Sequence, residues 1–263
     1  FVTTSGTGNI LIQADMDQDR AGDLAFTNAG TDGGERVRTT GTGTIQLRGE
    51  NIVTENYSAK TGGKIEILAG RHSSSTGEVY SSSAADGTFD LSAASFDIEA
   101  KGAGIGQSGG GTLEIVSSGQ VDAEADGAIH ITSVTGNALK VGLIDAGTNN
   151  VTLVGDTGVT DDVSGAGSDA ATDVIAGTLT INNGNATPGS AGDITLDTAV
   201  TDANLNGGAI TIHDGDDIII NGISASSLEI QGSGSIADAA GASITVTGLT
   251  KLNSSTNDAI TLD

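Results

Sequence analysis

The sequence of 263 residues predicts an all-β fold, a single-stranded parallel β-helix (β-solenoid) of roughly 11–14 irregular coils. Three observations support this prediction: a five-residue phrase that recurs along the chain, the spacing of its copies, and a composition poor in aromatic residues. The phrase consists of a small residue, any residue, an aliphatic, a polar residue and a second aliphatic.

Each copy of the phrase predicts one short strand. Alternation with a period of two, bounded by turn residues, is typical of a strand with one buried face. Coils of one hand place equivalent strands side by side, so we expect these strands to stack in parallel. The copies lie at residues 8–12, 43–47, 63–67, 87–91, 111–115, 127–131, 177–181, 192–196, 208–212, 242–246 and 258–262.

The spacing of the copies predicts one continuous β-solenoid over residues 1–263 with two kinds of repeat. Up to about residue 175 the repeats are long and irregular, and over residues 176–263 they tighten to a regular spacing of about 16 residues. Residues 155–171 are the best candidate for an irregular insertion, either a surface loop or a domain boundary. Whether a coil holds two or three strands stays open.

The composition argues against a compact globular core. The chain has 41 Gly, one Pro, two Tyr, four Phe, and neither Trp nor Cys. Aromatic side chains normally supply much of a globular core, whereas a narrow solenoid core can be filled by Ile, Leu, Val and Ala. Without Cys the chain has no disulfides, no thiol catalysis and no Cys-ligated zinc.

The charge balance is strongly acidic. Ten basic residues stand against 34 acidic ones, for a net charge of −24, and eight of the basic residues lie within residues 1–101. Binding to nucleic acid or to an anionic bilayer is disfavoured, because phosphate contacts need clustered Lys and Arg. The acidic surface is interpreted either as a solubility coat or as a surface that binds divalent cations. No apolar run is long enough for a transmembrane segment.

The polar residue of each phrase should point outward. In the second half this residue is mostly Thr, which suits the exposed face of a strand. In the first half it includes Glu66, Asp90 and Glu114, which we expect to form an exposed acidic ladder if they lie on neighbouring coils.

One segment has the pattern of a cation site. Asp15, Asp17, Asp19 and Asp23 alternate with other residues, which can present carboxylate oxygens to one side of an extended loop, as Ca²⁺ requires. The segment lacks the Gly and Glu positions of an EF-hand, so a solvated acidic turn is the other interpretation. Asp214, Asp216 and Asp217 form a second acidic turn of this kind. Ca²⁺ is the one cofactor that the sequence suggests.

No catalytic constellation is recognisable. The three His residues are scattered along the chain, and neither a nucleophile elbow nor a P-loop is present. We therefore predict that the protein is not an enzyme, with no catalytic and no cofactor-binding residues. The chain starts at Phe1 without Met or a signal peptide, so we expect a processed product or a part of a longer protein.

The phrase, together with the bias to Gly, Ala, Thr, Asn and Asp, resembles the repeat regions of secreted bacterial adhesins of the filamentous haemagglutinin type, which use two-partner secretion. The resemblance is closest in residues 176–263, where segments such as AGDITLDTAV and ASITVTGLTKLNSSTNDAITLD look like successive repeats. It implies a right-handed parallel β-helix that is exported and displayed on the bacterial cell surface. It carries over no catalytic or binding residues.

The leading functional hypothesis is an extracellular structural or adhesive rod segment of a bacterial surface or secreted fibre. Unpaired strands at the ends of a solenoid invite end-to-end assembly, so we expect the chain to bind copies of itself or neighbouring parts of a parent chain. Host-cell or matrix glycans are the other expected partners. The alternative hypothesis is a carbohydrate-binding or carbohydrate-cleaving β-helix protein, which an exposed groove with clustered carboxylates and basic residues would favour.

Overall fold

The structure is a computed structural model that describes residues 2–14, 22–26, 35–70, 77–82, 87–106, 111–134, 136–162, 171–183, 192–255 and 258–262. The described residues form 26 strands and no helix. The prediction of an all-β, many-stranded chain is confirmed. The chain divides into two compact units, unit 1 at Phe1–Thr135 and unit 2 at Gly136–Asp263.

The strands of unit 1 are β1 (Val2–Thr4), β2 (Ile10–Gln13), β3 (Leu24–Ala25), β4 (Val37–Thr39), β5 (Ile45–Gly49), β6 (Ile52–Thr54), β7 (Ala59–Lys60), β8 (Lys64–Ala69), β9 (Gly77–Ser81), β10 (Leu91–Ala93), β11 (Ser95–Ala100), β12 (Gly102–Ile105), β13 (Leu113–Ser117), β14 (Gln120–Ala125) and β15 (Ile129–Ser133). Those of unit 2 are β16 (Leu139–Asp145), β17 (Val151–Val154), β18 (Gly158–Asp161), β19 (Val174–Asn182), β20 (Asp193–Asn206), β21 (Ala209–Asp214), β22 (Ile218–Ala225), β23 (Ser227–Gly232), β24 (Ile236–Val246), β25 (Thr250–Ser254) and β26 (Ile260–Thr261).

The strands of unit 1 stack in three parallel columns. One column runs β2, β5, β8, β11 and β14, and a second runs β3, β6, β9, β12 and β15. The third runs β1, β4, β7, β10 and β13. We call the chain between paired strands of one column a coil. Three strands per coil in parallel stacking are compatible with a β-solenoid.

Unit 2 stacks in the same way with longer strands. Leu139 pairs with Val159, Val159 with Ile194, Ile194 with Ile210, and Ile210 with Leu228. The long strand β20 takes part in two columns, because Leu179 of β19 pairs with its residue Ala203 further along the chain. In the column that runs from Leu139 to Leu228, the last two steps, from Ile194 to Ile210 and from Ile210 to Leu228, are short. This agrees with the tight spacing of the phrases over residues 176–263.

The inward aliphatic residues of the phrase form the core, as the alternation predicts. Ile45 and Leu47, Ile65 and Ile67, and Ile129 and Ile131 are all at most 2% exposed. The small residue of the phrase also has a physical reason. A Cβ on Gly43 would overlap the carbonyl oxygen of Gly8 in the preceding coil, and one on Gly192 would overlap the carbonyl oxygen of Thr157. At these two positions the coil passes too close to the preceding one for a side chain.

Two expectations from the sequence were wrong: the exposed acidic ladder, and an irregular insertion at residues 155–171. Asp90 and Glu114 do not face solvent: they are 0% and 2% exposed. Glu66 pairs in register with Asp97, so these three acids form no ladder. The segment 155–171 is not simply an irregular loop either, because residues 158–161 form β18 and Val159 is fully buried.

Candidate functional site

Three buried carboxylates form the candidate site of unit 2, which we call the acidic cluster. Asp161, Asp173 and Asp197 are 6%, 1% and 8% exposed. One carboxylate oxygen of each lies within 4.8 Å of the others. In the described residues this is the group of side chains with the composition and spacing of a metal site.

Strand stacking brings the cluster together. Asp173 immediately precedes β19, and its backbone N–H donates to the carbonyl oxygen of Asp197 in the next coil at 2.7 Å. The carboxylate Oδ2 of Asp173 in turn accepts from the backbone N–H of Asp197 at 2.7 Å. Asp161 ends β18, which also pairs with β20. Three segments of the chain thus deliver one carboxylate each to the same corner.

The chemistry of the cluster follows from its charge. Three ionised carboxylates confined in a buried corner repel one another, so the arrangement favours binding of a cation. Carboxylate oxygens are the ligands that hard divalent cations prefer. Nδ1 of His213 lies 3.4 Å from Oδ1 of Asp197, so a protonated imidazole would offset part of the negative charge.

A surface cavity of about 200 Å³ adjoins the cluster on the side of Asp197 and His213. Asp214 also lines it and is fixed by hydrogen bonds: its Oδ2 accepts from Oγ1 of Thr198 at 2.7 Å and its Oδ1 from the backbone N–H of Asp216 at 3.0 Å. Burial raises the pKa of the Asp214 carboxyl above its ordinary value, although these hydrogen bonds oppose the shift.

The second acidic turn predicted from the sequence is hydrogen-bonded within the chain. Asp217 Oδ1 accepts from the backbone N–H and the hydroxyl of Ser235 at 2.7 and 2.8 Å. The Ser235 bonds hold the pKa of Asp217 below its usual value. In this turn the carboxylates of Asp214 and Asp217 thus accept hydrogen bonds from backbone N–H and hydroxyl groups, and Asp216 contributes a backbone N–H.

Of the four predicted calcium ligands, only Asp23 is described. Its Oδ1 accepts from Nδ2 of Asn51 at 2.9 Å in the following coil. Asp15, Asp17 and Asp19 lie outside the described residues. The calcium site at these four residues therefore stays a prediction.

Among its described residues, unit 1 has two buried carboxylates, Asp90 and Glu114. Asp90 accepts from Oγ of Ser81 at 2.9 Å and from the backbone N–H of Glu114 at 3.0 Å. Glu114 accepts from the backbone N–H of Gly87 at 2.8 Å. Neutral donors satisfy these acids, so the pair has the character of a structural hydrogen-bond network.

The exposed face of β5, β8 and β11 carries alternating charges. Lys64 Nζ lies 2.8 Å from Asp97 Oδ2 and 3.5 Å from Glu66 Oε1. A surface cavity of about 200 Å³ runs along these strands and is lined by Arg48, Glu66, Asp97 and Glu99 among others. Grooves with carboxylates and basic residues are the feature that the carbohydrate alternative calls for, here without an aromatic side chain in the lining.

The last coil of unit 2 has an open edge, made by β24, β25 and β26. Ile244 and Leu252 are only half-buried, whereas their partners one coil earlier, Ile223 and Ile230, are 3% and 0% exposed. Leu249 and Ile260 beside them are 74% and 44% exposed. In the part of the chain that the structure describes, β25 pairs only with β23 and β26 only with β24.

Sequence reasoning missed the acidic cluster and the buried pair. Asp161 ends β18, Asp173 directly precedes β19 and Asp197 lies inside β20. They stand 12 and 24 residues apart in the sequence, and no simple motif marks them. One signal was present: Asp197 directly follows the phrase at 192–196, and Asp173 directly precedes the aliphatic pair Val174 and Ile175.

Comparison with known proteins adds no relative to this picture. No family model, no curated protein and no solved structure matches the chain. Among the described residues, no helix is long and apolar enough to cross a membrane.

Proposed function

We propose that this chain is a structural and adhesive segment of an extracellular bacterial fibre, a right-handed β-helix of the kind found in filamentous haemagglutinin-like exoproteins. In this proposal the chain assembles end to end with further copies of itself. The observation that supports assembly is the open edge of unit 2, where aliphatic residues in inward positions remain accessible to solvent.

The open edge of unit 2 could pair with the strands of one further coil. Every earlier inward position of this column, such as Ile210 and Leu228, is covered by the next parallel strand. An unpaired strand with a half-buried aliphatic row is a template for another strand of the same pattern. We therefore propose that a second copy of the chain covers the open edge.

Unit 1 offers a matching edge. Its first strands β1, β2 and β3 each pair on one side only among the described residues. Val2 is 45% exposed, whereas its partner Val37 in the next coil is 1% exposed. A contact between different surfaces of two copies is heterologous, and its repetition yields a filament when the rotation between copies does not close a ring.

The test is assembly of the purified chain, followed by sedimentation and electron microscopy. We expect ordered filaments from the wild-type chain. The double variant Leu249→Lys/Ile260→Lys places charges on the open edge and should shift the material to monomer, because both side chains are already exposed and the fold should tolerate the change.

Ile219→Lys is the matched control. Ile219 is 36% exposed but lies on the lateral face of β22, with strands paired on both sides. It should leave assembly unchanged. A wild-type chain that stays monomeric at every concentration, or equal loss of assembly in the control, would contradict the proposal.

A further inference from the structure

Two of the chain's few aromatic side chains meet in unit 1. The rings of Tyr57 and Phe89 pack edge to face, with their centroids 4.9 Å apart. The backbone N–H of Tyr57 donates to the carbonyl oxygen of Phe89, and that of Arg36 donates to the carbonyl oxygen of Tyr57. Arg36, Tyr57 and Phe89 therefore lie one above another on three successive coils. Both rings are half-buried, so part of each remains accessible.

Positive side chains gather beside this ring pair. Arg38 and Lys60 pair in register on neighbouring coils. Both approach the same carboxylate, at 3.5 Å from Arg38 Nη1 to Glu35 Oε2 and 3.3 Å from Lys60 Nζ to Glu35 Oε1. Lys60 Nζ also lies 5.7 Å from the centroid of Phe89. We call Arg36, Arg38, Lys60, Tyr57 and Phe89 the basic–aromatic patch.

The patch presents donors to solvent. The side chains of Arg38 and Lys60 are 47% and 43% exposed, and one carboxylate engages only one N–H group of each. Two cations that share one carboxylate leave an excess of positive charge. This excess stands out in a chain whose net charge is −24.

The backbone at Tyr57 is unusual. Tyr57 has φ of 63°, the left-handed region, and it is the one non-glycine residue with positive φ in the described part of the chain. Oγ of Ser58 accepts from the backbone N–H of Glu55 at 2.8 Å and holds this turn. Asn tolerates this conformation much better than Tyr. The chain nevertheless places Tyr at this position, directly after Asn56. Strain of this kind is often kept where a side chain has a function.

We infer that the basic–aromatic patch is a binding site for an acidic saccharide, a sugar that carries a carboxylate. Such a ligand has apolar C–H faces that pack against aromatic rings. Its carboxylate meets the guanidinium and ammonium groups, and a guanidinium can bind a carboxylate through two parallel hydrogen bonds. The ring pair favours a saccharide over an acidic peptide, because a sugar ring offers a flat apolar face next to its charge.

The inference extends the adhesive role proposed above, but the site does not depend on assembly. Binding is therefore measured on the non-assembling Leu249→Lys/Ile260→Lys chain at low ionic strength, by titration calorimetry with a trisaccharide of galacturonic acid. We expect saturable binding, and a loss of at least about tenfold in affinity for the neutral methyl ester of the same trisaccharide.

Two variants locate the site. Arg38→Gln/Lys60→Gln should weaken binding about tenfold or more, while Lys101→Gln/Lys251→Gln, which removes the same charge from side chains 54% and 52% exposed, should change it less than twofold. Tyr57→Gly should weaken binding several-fold because it removes the ring, while the relief of the left-handed backbone offsets part of the packing lost against Phe89, so the chain should still fold.

Three results would overturn the inference. One is the absence of saturable binding to the trisaccharide, and another is an equal loss of affinity in the Lys101→Gln/Lys251→Gln control. The third is equally tight binding of a glutamate oligopeptide, which would assign the patch to acidic chains in general. Failure of the chain to form filaments would leave all three measurements unaffected.

Discussion

The two units both bury carboxylates, but they do so in different ways. In unit 1, Asp90 and Glu114 receive hydrogen bonds from a hydroxyl and from backbone N–H groups. In unit 2, Asp161, Asp173 and Asp197 place carboxylate oxygens within 4.8 Å of one another. The first arrangement distributes donors to each acid, and the second concentrates negative charge at one corner.

The difference shows what a narrow solenoid core tolerates. A buried acid is stable in it when neutral donors from neighbouring coils solvate the charge, as they do for Asp90. A cluster of acids lowers the stability of the fold unless a cation binds to it. Stability measurements on single variants can therefore separate a structural acid from a site.

The largest effect is expected for Asp90→Ala. The variant leaves Oγ of Ser81 and the backbone N–H of Glu114 buried without this acceptor, so we expect a loss of about 2–4 kcal/mol in the free energy of unfolding. Urea denaturation measures this. Asp97→Ala, on a side chain 53% exposed, should cost about 1 kcal/mol or less. Equal losses in the two variants would mean that the donors to Asp90 do not matter.

A change of opposite sign is expected for Asp173→Asn. The amide oxygen can still accept from the backbone N–H of Asp197, while one of three like charges disappears, so we expect a gain of about 1 kcal/mol at pH 7 in the presence of EDTA. The gain should vanish at low pH, where the carboxylates are protonated.

Asp216→Asn is the control for this gain, because Asp216 is exposed in the same unit. It should change the stability little at either pH. A lower stability of Asp173→Asn at pH 7 would contradict net repulsion among the three carboxylates of the acidic cluster.

The smallest effects concern the pH dependence of Asp214 and Asp217, whose pKa values shift in opposite directions. The folded pKa of Asp214 is raised, so its contribution is fully present below the unfolded value of 3.8 and is lost as the pH rises through the folded pKa. The folded pKa of Asp217 is lowered, so its contribution is present above 3.8 and is lost as the pH falls through the folded pKa.

Melting temperatures between pH 2 and pH 6 test both signs. Asp214→Asn should remove a component that declines with rising pH, and Asp217→Asn one that increases with rising pH. Parallel curves for the two variants would show that burial at Asp214 does not outweigh its hydrogen bonds.

Strand positions were predictable because they depend on local alternation. The phrases at 43–47 and 63–67 became β5 and β8 with their aliphatic residues inside. The same rule failed at Asp90 and Glu114, which occupy the polar position of a phrase and are nevertheless buried. Asp90 directly precedes β10, whereas Glu114 lies inside β13 with Leu113 and Ile115 buried on either side of it, so the alternation breaks within the strand itself.

The candidate sites could not be predicted because the coil length varies. Ile45 pairs with Ile65, 20 residues later, but Ile65 pairs with Phe96, 31 residues later. Without a fixed period, no count along the sequence tells which residues become neighbours on adjacent coils. This is why Glu66 meets Asp97, and why Arg38 meets Lys60, only in the folded chain.

The sequence by itself determined the class of fold, the aliphatic core and the acidic surface, since composition and two-residue alternation are local properties. Only the tertiary structure decided which side chains share a site: the acidic cluster, the basic–aromatic patch and the open edge. The physical reason is that contacts between coils depend on the number of residues in each loop. The sequence pattern does not show where a loop ends and the next strand begins.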